Sequence, residues 1–157
     1  MTIKTVYSYK LGSVLSQMRE FRNNSEGPTA RSNKSRHVCA VTRGSPVKGR
    51  IVSMAINHTT LRGHFHAEEA MESTFRNLVK TGGKYNVIVA RFLKNDTLGQ
   101  SDPCQDCATM LYRYREVIHR VYYTTTDPTW LEYGNPIDIL EASIARNYRT
   151  NARVNGL

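Results

Sequence analysis

Two short motifs place metal-binding and proton-transferring side chains in one 157-residue chain. One is His66-Ala67-Glu68; the other is Pro103-Cys104-Gln105-Asp106-Cys107. Two cysteines three residues apart on the first turn of a helix turn both sulfurs toward one point. The positive end of that helix favours their thiolate forms. Zinc takes thiolate sulfur and imidazole nitrogen in a tetrahedral set, and a catalytic site leaves one position open. His66, Cys104 and Cys107 are therefore candidate ligands of an open site. Glu68 is the candidate acid–base residue, since a carboxylate beside an activated water can take its proton and return it to a leaving group. The same letters admit other chemistry. C-x-x-C at a helix start also suits thiol redox exchange, and His64 would close a purely structural zinc site as fourth ligand.

The elements that must hold these groups follow from periodicity. Val14, Leu15, Met18 and Phe21 recur at helical spacing and predict an N-terminal helix over about 11–23, with Ser13 as its cap. Segment 24–35 is rich in Ser, Asn, Gly and Pro and is expected to be a loop. The β-type runs 37–43 and 50–57, separated by Gly44, Pro46 and Gly49, predict an antiparallel hairpin. A loop carrying His58, His64 and His66 precedes a helix over 67–80, which Gly82 and Gly83 stop. The apolar run 85–92 reads as a central strand. Pro103 is expected to open a helix over 103–115. Strands at 116–123 and 129–134 follow, then a helix over 136–148 capped by Asn135. Cys39, inside a β-type run, is expected in the core.

With both motifs in this order on a strand–helix frame, the chain resembles the cytidine deaminase-like superfamily across about residues 36–148. The H-x-E…P-C-x-x-C signature belongs to the zinc deaminases, in which a metal-activated water attacks C4 of cytosine or C6 of adenine. The resemblance implies a three-layer α/β/α sandwich around a five-stranded mixed sheet. It implies zinc on His66, Cys104 and Cys107, with Glu68 as catalytic shuttle. Asn57 matches the position from which an amide contacts sugar or base. The backbone of Ala67 matches a contact to the base edge, and Ser101 and Asp102 match residues lining the pocket. A homo-oligomer, dimer or tetramer, is the family habit. The expected activity is deamination of a cytosine nucleoside or nucleotide. Only a short turn separates 116–123 from 129–134, so the last strand is expected to return antiparallel. In this superfamily that arrangement accompanies free-nucleoside substrates. The segment after the second cysteine instead resembles deoxycytidylate and tRNA types.

Composition bounds the rest. The length suits one domain spanning 1–157. Lys and Arg number 22 against 13 Asp and Glu, a net charge of +9, which favours an anionic partner. Editing of RNA or single-stranded DNA is the alternative activity, and a catalytically idle, zinc-stabilised nucleotide-binding or nucleic-acid-binding module is a third reading. An idle scaffold has no need of Glu68. No apolar run reaches the roughly 20 residues of a membrane span. The start, MTIKTVYSYK, has no apolar stretch behind its lysines, so no secretory signal is expected. Three cysteines are too few for a secreted disulfide framework, which points to a cytoplasmic setting.

Overall fold

The computed structural model describes residues 2–26, 36–48, 50–60 and 63–154. Most of the loop expected at 24–35 and the side chain of His64 lie outside the described residues. The main sheet is built on β2 (Arg36–Arg43) and β6 (Tyr85–Phe92), which pair antiparallel over their whole length. β3 (Ile51–Ile56) joins β2 as the expected hairpin. β8 (Ile118–Thr124) runs parallel to β6, and β9 (Trp130–Gly134) returns antiparallel to β8, as its short turn requires.

Two strands extend this frame beyond the five expected. β1 (Lys4–Tyr7) adds to the edge of β9, and β7 (Leu98–Gly99) pairs with β6. The sheet therefore has seven strands, in the order β1-β9-β8-β6-β2-β3 with β7 off β6. A separate hairpin, β4 (His58–Thr60) with β5 (Gly63–Phe65), forms where a plain loop was expected.

Alternation along the central strands makes the three layers. Val38, Ala40, Ile88 and Ala90 face one side, where they pack with Leu11, Val14, Leu15 and Met18 around α1 (Gly12–Glu26). Cys39, Val41, Val87 and Val89 face the other, with Ala67, Phe75, Leu111 and Ile139 from the remaining helices. These are α2 (Ala67–Ala70), α3 (Glu72–Thr81), α4 (Gln105–Arg113) and α5 (Pro136–Val154). Helices thus cover both faces of a mixed sheet, as the resemblance implied.

Several helix boundaries differ from expectation, among them the end of α5, which runs on to Val154 beyond the expected 148. A 3-10 turn at Ser8–Leu11 leads into α1, so Ser13 lies inside the helix and its hydroxyl accepts from Gln17. The helix expected over 67–80 breaks at Met71, whose side chain is fully buried. Beyond the break, the Glu72 carboxylate takes hydrogen bonds from Arg76, Arg113 and the Tyr114 hydroxyl, tying α3 to the end of α4. α4 begins two residues later than Pro103 predicts, with Cys104 as its cap. Gly82, at φ 76°, and Gly83, at φ 101°, end α3 in a left-handed backbone that other residues rarely adopt. Asn135 caps α5 as expected, its side-chain oxygen accepting from Asp138 N–H at 3.0 Å. Among the described residues no helix is long and apolar enough to cross a membrane.

Candidate active site

Both motifs sit where a chain enters a helix. His66 and Cys104 are each extended N-cap residues, at φ −71°, ψ 157° and φ −67°, ψ 169°. An N-cap side chain folds back over the first turn to meet the N–H groups that lack intrahelical acceptors. Cys104 does so: its Sγ accepts from the Cys107 N–H at 3.5 Å. The two sulfurs are thereby drawn to the same end of α4. On the neighbouring helix start, Glu69 accepts from the His66 N–H at 3.3 Å, one half of a capping box.

His66 Nδ1 lies 3.2 Å from Cys107 Sγ and 3.6 Å from Cys104 Sγ. The three donor atoms all fall within 4.8 Å of one another. Zinc bonds of about 2.0–2.3 Å at tetrahedral angles need donors roughly 3.3–3.8 Å apart. Donor set and spacing therefore fit a zinc ion held by His66, Cys104 and Cys107. Cys104 is exposed and Cys107 buried, so the triad opens outward on one side and is backed by the core on the other.

Glu68 is only 4% exposed. Burial raises its pKa above the ordinary carboxylate range, against a hydrogen bond from the Cys107 thiol that lowers it. A buried carboxyl beside the triad is placed to accept and release a proton. The sulfurs are coupled. Their mutual contact holds Cys104 below the usual thiol range and pushes Cys107 up. Cys39 is fully buried and stays a core thiol.

The other expected site residues fall in distinct places. Asn57 lies just beyond β3, half-buried, with its Oδ1 accepting from the His37 N–H at 3.1 Å. Ala67 is buried in the first turn of α2. Ser101 is buried, and its hydroxyl donates to the Val89 carbonyl at 2.7 Å and meets Thr124 Oγ1 at 2.8 Å. Ser101 thus pins the chain before the Cys104 motif to β6 and β8. Asp102 pairs with Arg146 Nε of α5 at 2.8 Å, and Arg146 Nη2 also donates to the Pro103 carbonyl at 2.9 Å. In the sequence Arg146 is one of 22 Lys and Arg residues with no motif around it. It stands three residues, about one helical turn, after Ser143, which is 1% exposed.

No family model matches the chain, and no curated protein matches it. Among solved structures it is similar to the dCMP deaminase from the cyanophage S-TIM5 in apo form. Identity is 14%, with 85% of this chain and 90% of that chain covered and a TM-score of 0.44.

Proposed function

We propose that this protein is a zinc-dependent hydrolytic deaminase that converts a cytosine nucleoside or nucleotide to the uracil form and releases ammonia. The observation that carries the reading is the convergence of His66, Cys104 and Cys107 beside the buried Glu68. Neither a thiol redox pair nor a closed structural zinc site has a use for that carboxyl. When bound by the triad, zinc supplies a Lewis acid that makes water a nucleophile at neutral pH.

The chain's own residues then do the following. Glu68 takes a proton from the water that adds to C4 of the ring. It passes protons to the ring nitrogen and to the departing amino group, which leaves as ammonia. Asn57 supports substrate placement: among the described residues its amide nitrogen meets no acceptor, while its oxygen is fixed by His37. The N–H of Ala67 belongs to a first turn whose donors lack intrahelical acceptors, and it is assigned to the base edge. Ser101 and Asp102, in the turn before Cys104, are assigned to the lining of the substrate pocket.

The antiparallel return of β9 favours a free nucleoside over a strand. Zinc-loaded protein given cytidine, deoxycytidine, their monophosphates, adenosine, and short RNA and DNA should release ammonia from one of the cytosine monomers. Release from a strand alone would replace this reading with editing. Silence with zinc bound would replace it with the idle module. The three free cysteines suit a reducing, cytoplasmic setting. A dimer or tetramer is the proposed assembly, and light scattering at the monomer mass of 17.9 kDa would refute it.

A further inference from the structure

We infer that Arg146 is a positioning residue for the metal-binding turn: from the last helix it clamps the two residues before Cys104 and so presets the spacing of the thiol pair. The inference rests on the zinc reading above. Cys104 stands at the N-cap of α4, where helical hydrogen bonding holds the chain only on its C-terminal side. Its extended backbone, and with it the direction of Sγ, depends on what fixes the residues before it.

Arg146 supplies that restraint with two separate nitrogens. Nε pairs with Asp102 Oδ2 at 2.8 Å and Nη2 donates to the Pro103 carbonyl at 2.9 Å. Both partners are partly desolvated, with side chains 33% exposed for Arg146 and 19% for Asp102. A planar guanidinium can span a carboxylate and a neighbouring carbonyl, whereas a lysine ammonium offers a single point charge. On the other side of Cys104, Asn147 donates to Gln105 Oε1. Adjacent residues of α5 thus hold the chain immediately before and after the exposed ligand. Ser101, fixed to β6 and β8, anchors the upstream end of the same turn.

Groups that orient metal ligands typically contribute a factor of about 10–100 to metal affinity. Arg146→Ala should therefore weaken zinc binding about 10–100-fold in competition with a fluorescent chelator. It should also alter the visible absorption of the cobalt-substituted protein, which reports ligand geometry without any turnover. Arg146→Lys should recover part of the affinity. Arg149→Ala should match the wild type, because Arg149 lines the same cavity of about 310 Å³ beside Asp102 but, among the described residues, forms no hydrogen bond or ion pair with the turn. Thermal unfolding of each metal-free variant separates positioning from general stability. If Arg146→Ala does not fold, Asp102→Asn, which removes the charge Arg146 pairs with, carries the same comparison. The clamp is overturned if these variants bind zinc within twofold of wild type with an unchanged cobalt spectrum. It is also overturned if their loss of affinity follows metal-free stability and appears equally in Arg149→Ala. Failure of the wild-type chain to bind zinc would overturn the catalytic reading along with the clamp. Tight wild-type binding with an equally tight Arg146→Ala overturns the clamp alone.

Discussion

Glu68→Gln isolates proton transfer from everything else the site does. The side chain is 4% exposed, and glutamine fills nearly the same volume, so the change leaves no cavity. In the metal-free protein its amide oxygen can still accept from the Cys107 thiol. What disappears is the titrating group. Burial already disfavours the carboxylate at this position, so removing the charge relieves a desolvation cost. The new buried N–H₂ costs about 1–3 kcal/mol if it finds no acceptor. These effects oppose each other, and the melting temperature should move little. Activity should not survive so well. General acid–base groups contribute roughly 10²–10⁴ in rate, equivalent to about 2.7–5.4 kcal/mol at the transition state. The loss should fall on kcat, because glutamine can still occupy the wall of the site. Metal content should be unchanged, since Glu68 is not one of the three converging donors. Ammonia release and zinc stoichiometry on the same preparation give both readouts. Turnover within tenfold of wild type, with zinc bound, would refute the shuttle. Loss of zinc together with activity would refute the ligand set instead.

Other perturbations probe the site and its support. In metal-free protein, Cys104 is the exposed thiol while Cys39 and Cys107 are buried. Iodoacetamide should modify one thiol rapidly, zinc should block it, and peptide mapping to Cys39 would contradict the placement. His37 is lowered to about 4, chiefly by burial, then by the charges of Arg91 and His66, against Asp102. The unfolded chain therefore takes up this proton first. His37 leaves stability intact above pH 6.5 and removes about 2 kcal/mol by pH 5. Urea titrations of the metal-free protein at pH 7.5 and pH 5 should show that decline, and His37→Gln should flatten it; identical slopes in both proteins would refute it. Phe75 is fully buried against Tyr114, with ring centroids 5.6 Å apart. Phe75→Ala should cost about 3–5 kcal/mol, whereas Val79→Ala, at a position 45% exposed, should cost little. Equal losses in urea unfolding would show that α3 does not pack as described.

Where local pattern and burial agree, the sequence was readable. The continuous apolar run of β6 marked a strand covered on both faces, and the Asn135 cap marked the start of α5. Where an element depends on distant partners, it was not. β1 is mostly exposed and is held by its register with β9, Lys4 opposite Tyr133 through Tyr7 opposite Trp130. Nothing in KTVY itself specifies that pairing. β7 is two residues long and exists because β6 offers it an edge. The break at Met71 interrupts a run whose apolar spacing is continuous. It accompanies the Glu72 contacts to Arg113 and Tyr114, more than forty residues away along the chain.

The same division runs through the site. His66, Glu68, Cys104 and Cys107 were legible because each pair is close in sequence and helix entry brings its members together. Arg146 was not, since an arginine on a helix reads as solvated charge until the fold sets it against Asp102 and Pro103. The shift in the start of α4 belongs to this argument. With Pro103 inside the helix, its carbonyl would be directed into the first turn and Cys104 could not serve as the cap. Because α4 starts at Gln105, the Pro103 carbonyl is free to meet Arg146, and Cys104 Sγ folds back toward the Cys107 N–H. One backbone turn thus ends the incoming chain, caps the helix and pairs the sulfurs. A restraint on that turn, even from the far end of the chain, acts on all of these together.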